Sequence, residues 1–245
     1  LSNNSSKLHV LGDSFSTPNY CVDPQQSFWG LAAQDLGIKH IVNYSHVGFS
    51  FDHVIHILLN ENFDFTNDYF LVGIPPLVRY VAYNDNSDNV WHSTHFDSVF
   101  NSNIEEIASL RKTQRFTFKE QFVNDRDGVD RFNVEWNEVQ NIEKIFLLAQ
   151  YLKSVGSKFM IINLAPPLIY QNQWHVGKNI IVKTKNLKEC IVFEDTYYSV
   201  NLADRIKPVD YNEVGYQGHH GPEGNANWYN KILKPKMIEL GWIND

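Results

Sequence analysis

The chain has 245 residues, 43% of them hydrophobic, with 28 acidic against 21 basic side chains and a net charge of −7. This length is enough for one full α/β domain with a sizeable core. The acidic balance argues against a nucleic-acid partner, because phosphate binding calls for a basic surface, and no apolar run reaches the length of a membrane span.

Cys21 and Cys190 are the only cysteines. They are too few and too far apart for a disulfide framework or a metal site, and read as two free thiols, with a single bridge left open. No signal-peptide pattern is present, but the chain begins at Leu1 rather than Met, so this says nothing about the compartment.

The elements alternate along the chain. Leu8–Leu11 is a short apolar strand that ends in Gly12-Asp13-Ser14. A helix is predicted over Ser27–Leu36, closed by Gly37. His40–Ser45 is a second apolar run, Phe51–Leu59 is helix-like, and Tyr69–Ile74 is a third strand bounded by Pro75-Pro76. A long helix follows at about Val134–Val155, with Val139, Ile142, Phe146 and Ala149 at helical spacing and Gly156 at its end. Lys158–Leu164 is a fourth strand, Cys190–Phe193 a fifth candidate, and a last helix runs from Pro222 to about Leu240. Strands alternating with helices predict a three-layer α/β sandwich around a central parallel sheet, as one domain over residues 1–245.

Residues Val81–Phe132 break the alternation, being rich in Asn, Asp, Ser and aromatics with a charged middle. They read as an insertion after the third strand, helical near Asn103–Leu110. A lid over the site and plain peripheral packing are both open for it. No internal repeat or interdomain linker is present in the sequence.

Chemistry concentrates at the two ends of the chain. Ser14 falls at the carboxyl end of the first strand, the edge at which open α/β sheets bind ligands. A serine hydroxyl is inert until a base takes its proton, so it calls for a histidine. His219-His220-Gly221-Pro222-Glu223-Gly224 supplies two, just before a helix start at which Pro222 suits the first position and Gly221 the cap. A third block, Asn43-Tyr44-Ser45-His46-Val47-Gly48, ends in a glycine that lets backbone approach a ligand. Taken singly, Ser14 reads as a turn serine, His219 as an unpartnered histidine at a helix start and Gly48 as a turn glycine.

Together and in this order, the three blocks resemble the Gly-Asp-Ser esterases, the SGNH hydrolase superfamily. The resemblance spans the chain apart from the central insertion. It implies a flavodoxin-like strand order 2-1-3-4-5. It makes Ser14 the nucleophile, His219 the base, and the backbone N–H groups of Ser14 and Gly48 the oxyanion donors. Register places His219 at the family's histidine and His220 at its usual proline, with His220 the rival base. The implied reaction is hydrolysis of an ester on a small molecule or glycan, such as a carbohydrate O-acetyl group, with no cofactor and no metal. Acyl transfer and a catalytically degenerate carbohydrate-binding module are the alternatives.

Two departures from the family pattern stand out. Gly73-Ile74-Pro75-Pro76 occupies the place of the Gly-x-Asn-Asp block, so the asparagine oxyanion donor is missing and proline cannot replace it. Asn163 and Arg79 are substitutes to consider. The aspartate three residues before the histidine is also missing, since Tyr216 stands there for His219 and Gln217 for His220. Asp210 and Glu213 lie upstream in the same loop, and a backbone carbonyl is a further way to orient the ring.

Weaker signals point elsewhere. His46, His53 and His56 lack the converging partners of a zinc site and read as helix-surface histidines. No Gly-x-Ser-x-Gly elbow, phosphate loop or dinucleotide fingerprint occurs. Trp91, Trp136, Trp174 and Trp228 are possible sugar-stacking surfaces, though core packing is the commoner use of tryptophan.

Overall fold

A computed structural model describes residues 6–18, 23–46, 49–75, 79–83, 91–95, 131–164, 186–191, 195–208 and 219–245. Five strands make one parallel sheet: β1 (Lys7–Leu11), β2 (His40–Asn43), β3 (Tyr69–Ile74), β6 (Lys158–Asn163) and β7 (Cys190–Ile191), in the order β2-β1-β3-β6-β7. This is the 2-1-3-4-5 order expected. Between β3 and β6 the chain forms an antiparallel pair, β4 (Arg79–Tyr83) with β5 (Trp91–His95), which the sequence reading did not anticipate. Most of the 81–132 insertion, including Asn103–Leu110, lies outside the described residues, and so does the lid question.

The three layers follow from period-two burial on the strands. Phe70, Val72 and Ile74 of β3, with Phe159 and Ile161 of β6, face α2 (Phe51–Asn60) and α3 (Arg131–Ser154). Leu71, Met160 and Ile162 face the other way, against α1 (Phe28–Asp35), α4 (Tyr197–Ala203), α5 (Pro222–Trp228) and α6 (Lys234–Glu239). On α3 the buried stripe is Ile142, Ile145, Leu148, Ala149 and Leu152, whereas Phe146 is only half-buried. The helix is therefore rotated slightly from the face drawn through Val139, Ile142, Phe146 and Ala149.

Local chemistry sets the boundaries. The Ser27 hydroxyl caps α1 by accepting from the Gly30 N–H at 2.9 Å, and Gly37 leaves the helix at φ +67°. Thr196 caps α4 in the same way, accepting from the Ser199 N–H at 3.0 Å. The last helix is not uniform, because a π turn at Tyr229–Leu233 separates α5 from α6. Pro235 explains it: a proline lacks the N–H of a regular helical bond, and the wider turn relieves its clash with the preceding carbonyl.

Buried polar groups inside this frame are mostly paired. His9, in the middle of β1, donates its Nε2–H to Asp68 Oδ2 at 2.9 Å, and the other Asp68 oxygen takes the Lys7 N–H at 2.8 Å. The His9 ring is packed by Phe63, Phe70 and Tyr44. Cys190 is a free, buried thiol, and burial with the Glu189 charge nearby pushes it up to about 12, so it is unreactive near neutrality. Cys21 lies outside the described residues.

Candidate active site at the carboxyl edge of the sheet

β1 and β3 are neighbours whose following segments diverge, which makes the carboxyl edge between them the switch point of the sheet. Two glycines let backbone and side chains pack closely there, Gly12 at the turn and Gly73 within β3. A Cβ on Gly12 would come within 2.8 Å of Ser16 Oγ, and one on Gly73 within 2.9 Å of Leu164 Cδ1 and 3.1 Å of the Leu11 carbonyl. Asp13, wholly buried, then folds the turn that carries Ser14. Its Oδ1 accepts from the Phe15 N–H at 3.1 Å and its carbonyl from the Ser16 N–H at 3.0 Å. The turn leaves Ser14 only 7% exposed.

Asn43, at the end of β2, braces this turn from the side. Its amide nitrogen donates to the Ser16 carbonyl at 2.8 Å, while its oxygen accepts from the Ser45 N–H at 2.9 Å. The next segment returns across the turn, where the His46 N–H reaches the Gly12 carbonyl at 3.4 Å. Gly48, the proposed second oxyanion donor, lies outside the described residues. Further on, His53 is buried rather than on the helix surface, because its Nδ1 accepts from the Ser50 N–H at 3.2 Å in a box at the start of α2. His56 is exposed as expected, and no cluster of metal-ligating side chains occurs among the described residues.

The third wall comes from the opposite end of the chain. Gly221 and Pro222 occupy the cap and first position of α5, as expected. Asn225 fastens this helix start to the rest of the domain. Its oxygen accepts from the Phe28 N–H at 3.0 Å, and its nitrogen donates to the His220 and Gly221 carbonyls, each at 3.0 Å. The Tyr197 hydroxyl donates to the same His220 carbonyl at 3.2 Å. These bonds fix the His219-His220 backbone over the serine turn. The His219 ring, half-exposed, sits edge-on to Phe15 with centroids 4.9 Å apart.

A single open cleft is lined by Ser14, Phe15 and Thr17 from the first turn, Ser27 and Trp29 from α1, Tyr197 from α4, and His219, His220 and Asn225 from α5 and the residues before it. The structure thus brings Ser14 and both candidate histidines to one cavity. It does not bring Asn163 there: that residue is wholly buried at the end of β6, in register with Ile74, and is not part of the lining. Asp210, Glu213, Tyr216, Gln217 and the Arg79 side chain lie outside the described residues. Trp228 is core, wholly buried against Phe28 and Tyr197, and the side chains of Trp91, Trp136 and Trp174 are outside the described set.

Six lining residues were not site candidates from sequence, and three of them are instructive. Tyr197 sits in a run of aromatic and β-branched residues with no helical signal except the Thr196 cap. Trp29 reads as part of an ordinary helix. Asn225 carried a legible flag, since an asparagine inside a helix start is disfavoured unless its amide has specific partners. His220 differs from its neighbour: it is 3% exposed, and burial, with His219 beside it, holds its imidazole below the usual range.

No known family profile and no curated protein matches the chain. Solved structures do. A carbohydrate esterase, whose active site is described as having divergent catalytic and non-catalytic binding functions, aligns with TM-score 0.50 at 14% identity over 99% of this chain and 68% of its own. An acetyl xylan esterase from the rumen bacterium Butyrivibrio proteoclasticus aligns with TM-score 0.48 at 14% identity, over 98% of this chain and 65% of its own. A lipolytic protein of the G-D-S-L family from Veillonella parvula aligns with TM-score 0.40 at 13% identity, over 94% and 97%. This chain therefore spans just under two thirds of the Butyrivibrio protein. At these identities the likeness is one of fold.

Proposed function

We propose that this chain, which has the SGNH hydrolase fold, is a serine ester hydrolase acting on a carbohydrate O-acyl group. The observation that carries the reading is that Ser14 and His219, from opposite ends of the chain, line one cleft at the carboxyl edge of the sheet. The carbohydrate ester is carried over from the carbohydrate esterase that shares the fold.

In this reading His219 accepts the Ser14 hydroxyl proton as Oγ attacks the ester carbonyl. The N–H groups of Ser14 and Gly48 stabilise the oxyanion of the tetrahedral intermediate. His219 then gives the proton to the departing alcohol oxygen, leaving an acyl-serine. A water, deprotonated by His219, attacks that acyl carbon, and the carboxylic acid departs as Ser14 recovers its proton. If a second alcohol takes the place of water, the same parts perform acyl transfer. Asp210 and Glu213 are the carboxylates proposed to orient His219. The absent asparagine donor leaves two backbone donors in place of three, a loss worth ~10²–10³ in turnover where such donors have been removed.

Initial rates on p-nitrophenyl acetate test the reading, with folding checked for each variant. Ser14→Ala and His219→Ala should each lower kcat by at least ~10³. A loss in His220→Ala but not in His219→Ala would move the base to His220. Equal rates in wild type and all variants, on this ester and on acetylated xylan, would favour the non-catalytic binding module.

A further inference from the structure

Among the nine described residues around the cleft, His220 is the one with fully buried side-chain nitrogens that lack a hydrogen-bond partner. Its surroundings are built. Its carbonyl is held by Asn225 and by the Tyr197 hydroxyl. Its ring occupies the space left by the missing side chain of Gly224, where a Cβ would come within 2.5 Å of His220 Cβ and 3.2 Å of Nδ1. Tyr197 packs edge-on to it at 5.2 Å, and Tyr198 lies at 6.1 Å. Yet both ring nitrogens are buried without a hydrogen bond. The Lys207 carbonyl faces the ring and favours its charged form, but not at hydrogen-bonding geometry.

Two buried, unmade hydrogen bonds cost free energy unless something outside the chain supplies the partner. A neutral imidazole offers one donor and one acceptor, and a hydroxyl group has the same two capacities. The acyl side of a simple ester has no polar atom besides the carbonyl, which the oxyanion donors engage. A further polar reader in the cleft therefore addresses the alcohol side.

We propose that His220 recognises a free hydroxyl on the alcohol portion of the ester, so that the cleft selects sugar or polyol esters over simple aryl ones. The inference rests on the esterase reading above and adds to it a specificity residue. His220 acts here by binding, while His219 moves the proton.

Two measurements test it. The first compares kcat/KM for a monoacetylated methyl xyloside and for p-nitrophenyl acetate in wild type, His220→Phe and His220→Gln. The preference for the xyloside ester should fall at least about tenfold in His220→Phe, mainly through KM, and recover in part in His220→Gln, which restores a donor and an acceptor. An unchanged preference, or equal losses on both esters, would overturn the proposal. The second uses Ser14→Ala protein with ¹⁵N-labelled histidine, titrated with methyl xyloside. The ring resonances that vanish in His220→Phe should shift on addition of the glycoside; no shift would overturn the proposal. Because this readout needs no turnover, a shift without hydrolysis in wild type would sink the esterase reading and leave hydroxyl recognition standing.

Discussion

His9 and His220 are both 3% exposed, and they serve opposite purposes. In the middle of β1, His9 has a carboxylate at 2.9 Å and aromatic rings around it. At the carboxyl edge, His220 has aromatic rings but no hydrogen-bond partner for either nitrogen. The first histidine is part of the fold: Asp68 pairs one ring nitrogen, and the other, Nδ1, is buried without a partner among aromatic rings. The second is held just as firmly by its backbone, yet its bonding capacity is left for a ligand. Burial alone therefore does not mark a site, and neither does a single unpaired atom; His220 stands apart because both of its nitrogens are unpaired and it lines the cleft.

The comparison is broken most severely by removing Asp68. Asp68→Ala strips both His9 Nε2 and the Lys7 N–H of their partner. It should cost ~3 kcal/mol in urea unfolding, the scale for breaking a buried polar pair. Turnover per folded molecule should stay as in wild type; a change in turnover larger than the change in folded fraction would mean that this end of the sheet also shapes the cleft.

Next in size is Asn225→Ala. It leaves the Phe28 N–H and the His220 and Gly221 carbonyls without the Asn225 side chain. A loss of ~2 kcal/mol is expected, together with lower kcat because His219 and His220 share that backbone. An equal loss of stability with kcat preserved would show that the helix start does not position the site.

The smallest effect belongs to a partly exposed pair of a third kind. Asp35 accepts from the Tyr229 hydroxyl at 2.6 Å and pairs with Lys234 at 2.7 Å, joining α1 to the terminal helix. Lys234, then Tyr229, hold the Asp35 carboxyl below its ordinary 3.8. A carboxylate with a depressed folded-state pKa adds stability that is present above the unfolded value and is lost as pH falls through the folded one. Asp35→Asn should thus cost under ~1 kcal/mol near neutrality, and the gap from wild type should close as pH drops below about 3.8. A gap that widened toward acid would contradict the assignment.

Much of this frame was legible in the sequence because it is set by local rules. Gly37 and Gly156 stop helices at positive φ, Pro222 starts one, and the apolar runs at Leu8–Leu11 and Tyr69–Ile74 are strands close to their expected bounds. The resemblance to the Gly-Asp-Ser esterases implied that Ser14 and His219 share a cleft, and both line one. What the sequence could not yield depends on distant partners. Asn225 matters because Phe28 lies beside it in space, and α4 forms although Tyr197-Tyr198-Ser199-Val200 reads as readily as a strand. The π turn follows from Pro235 acting inside a helix whose apolar pattern runs on unbroken. The oneness of the cleft, and the bare nitrogens of His220, are products of packing that no spacing rule encodes.

The central claim is that Ser14 is a nucleophile activated by His219. Its most direct test is intact-protein mass after treatment with a fluorophosphonate, followed by peptide mapping. The account predicts a single adduct on Ser14 in wild type, absent in Ser14→Ala and strongly slowed in His219→Ala. Folded wild-type protein that takes up no label, or label at Ser14 that forms equally fast without His219, would contradict it.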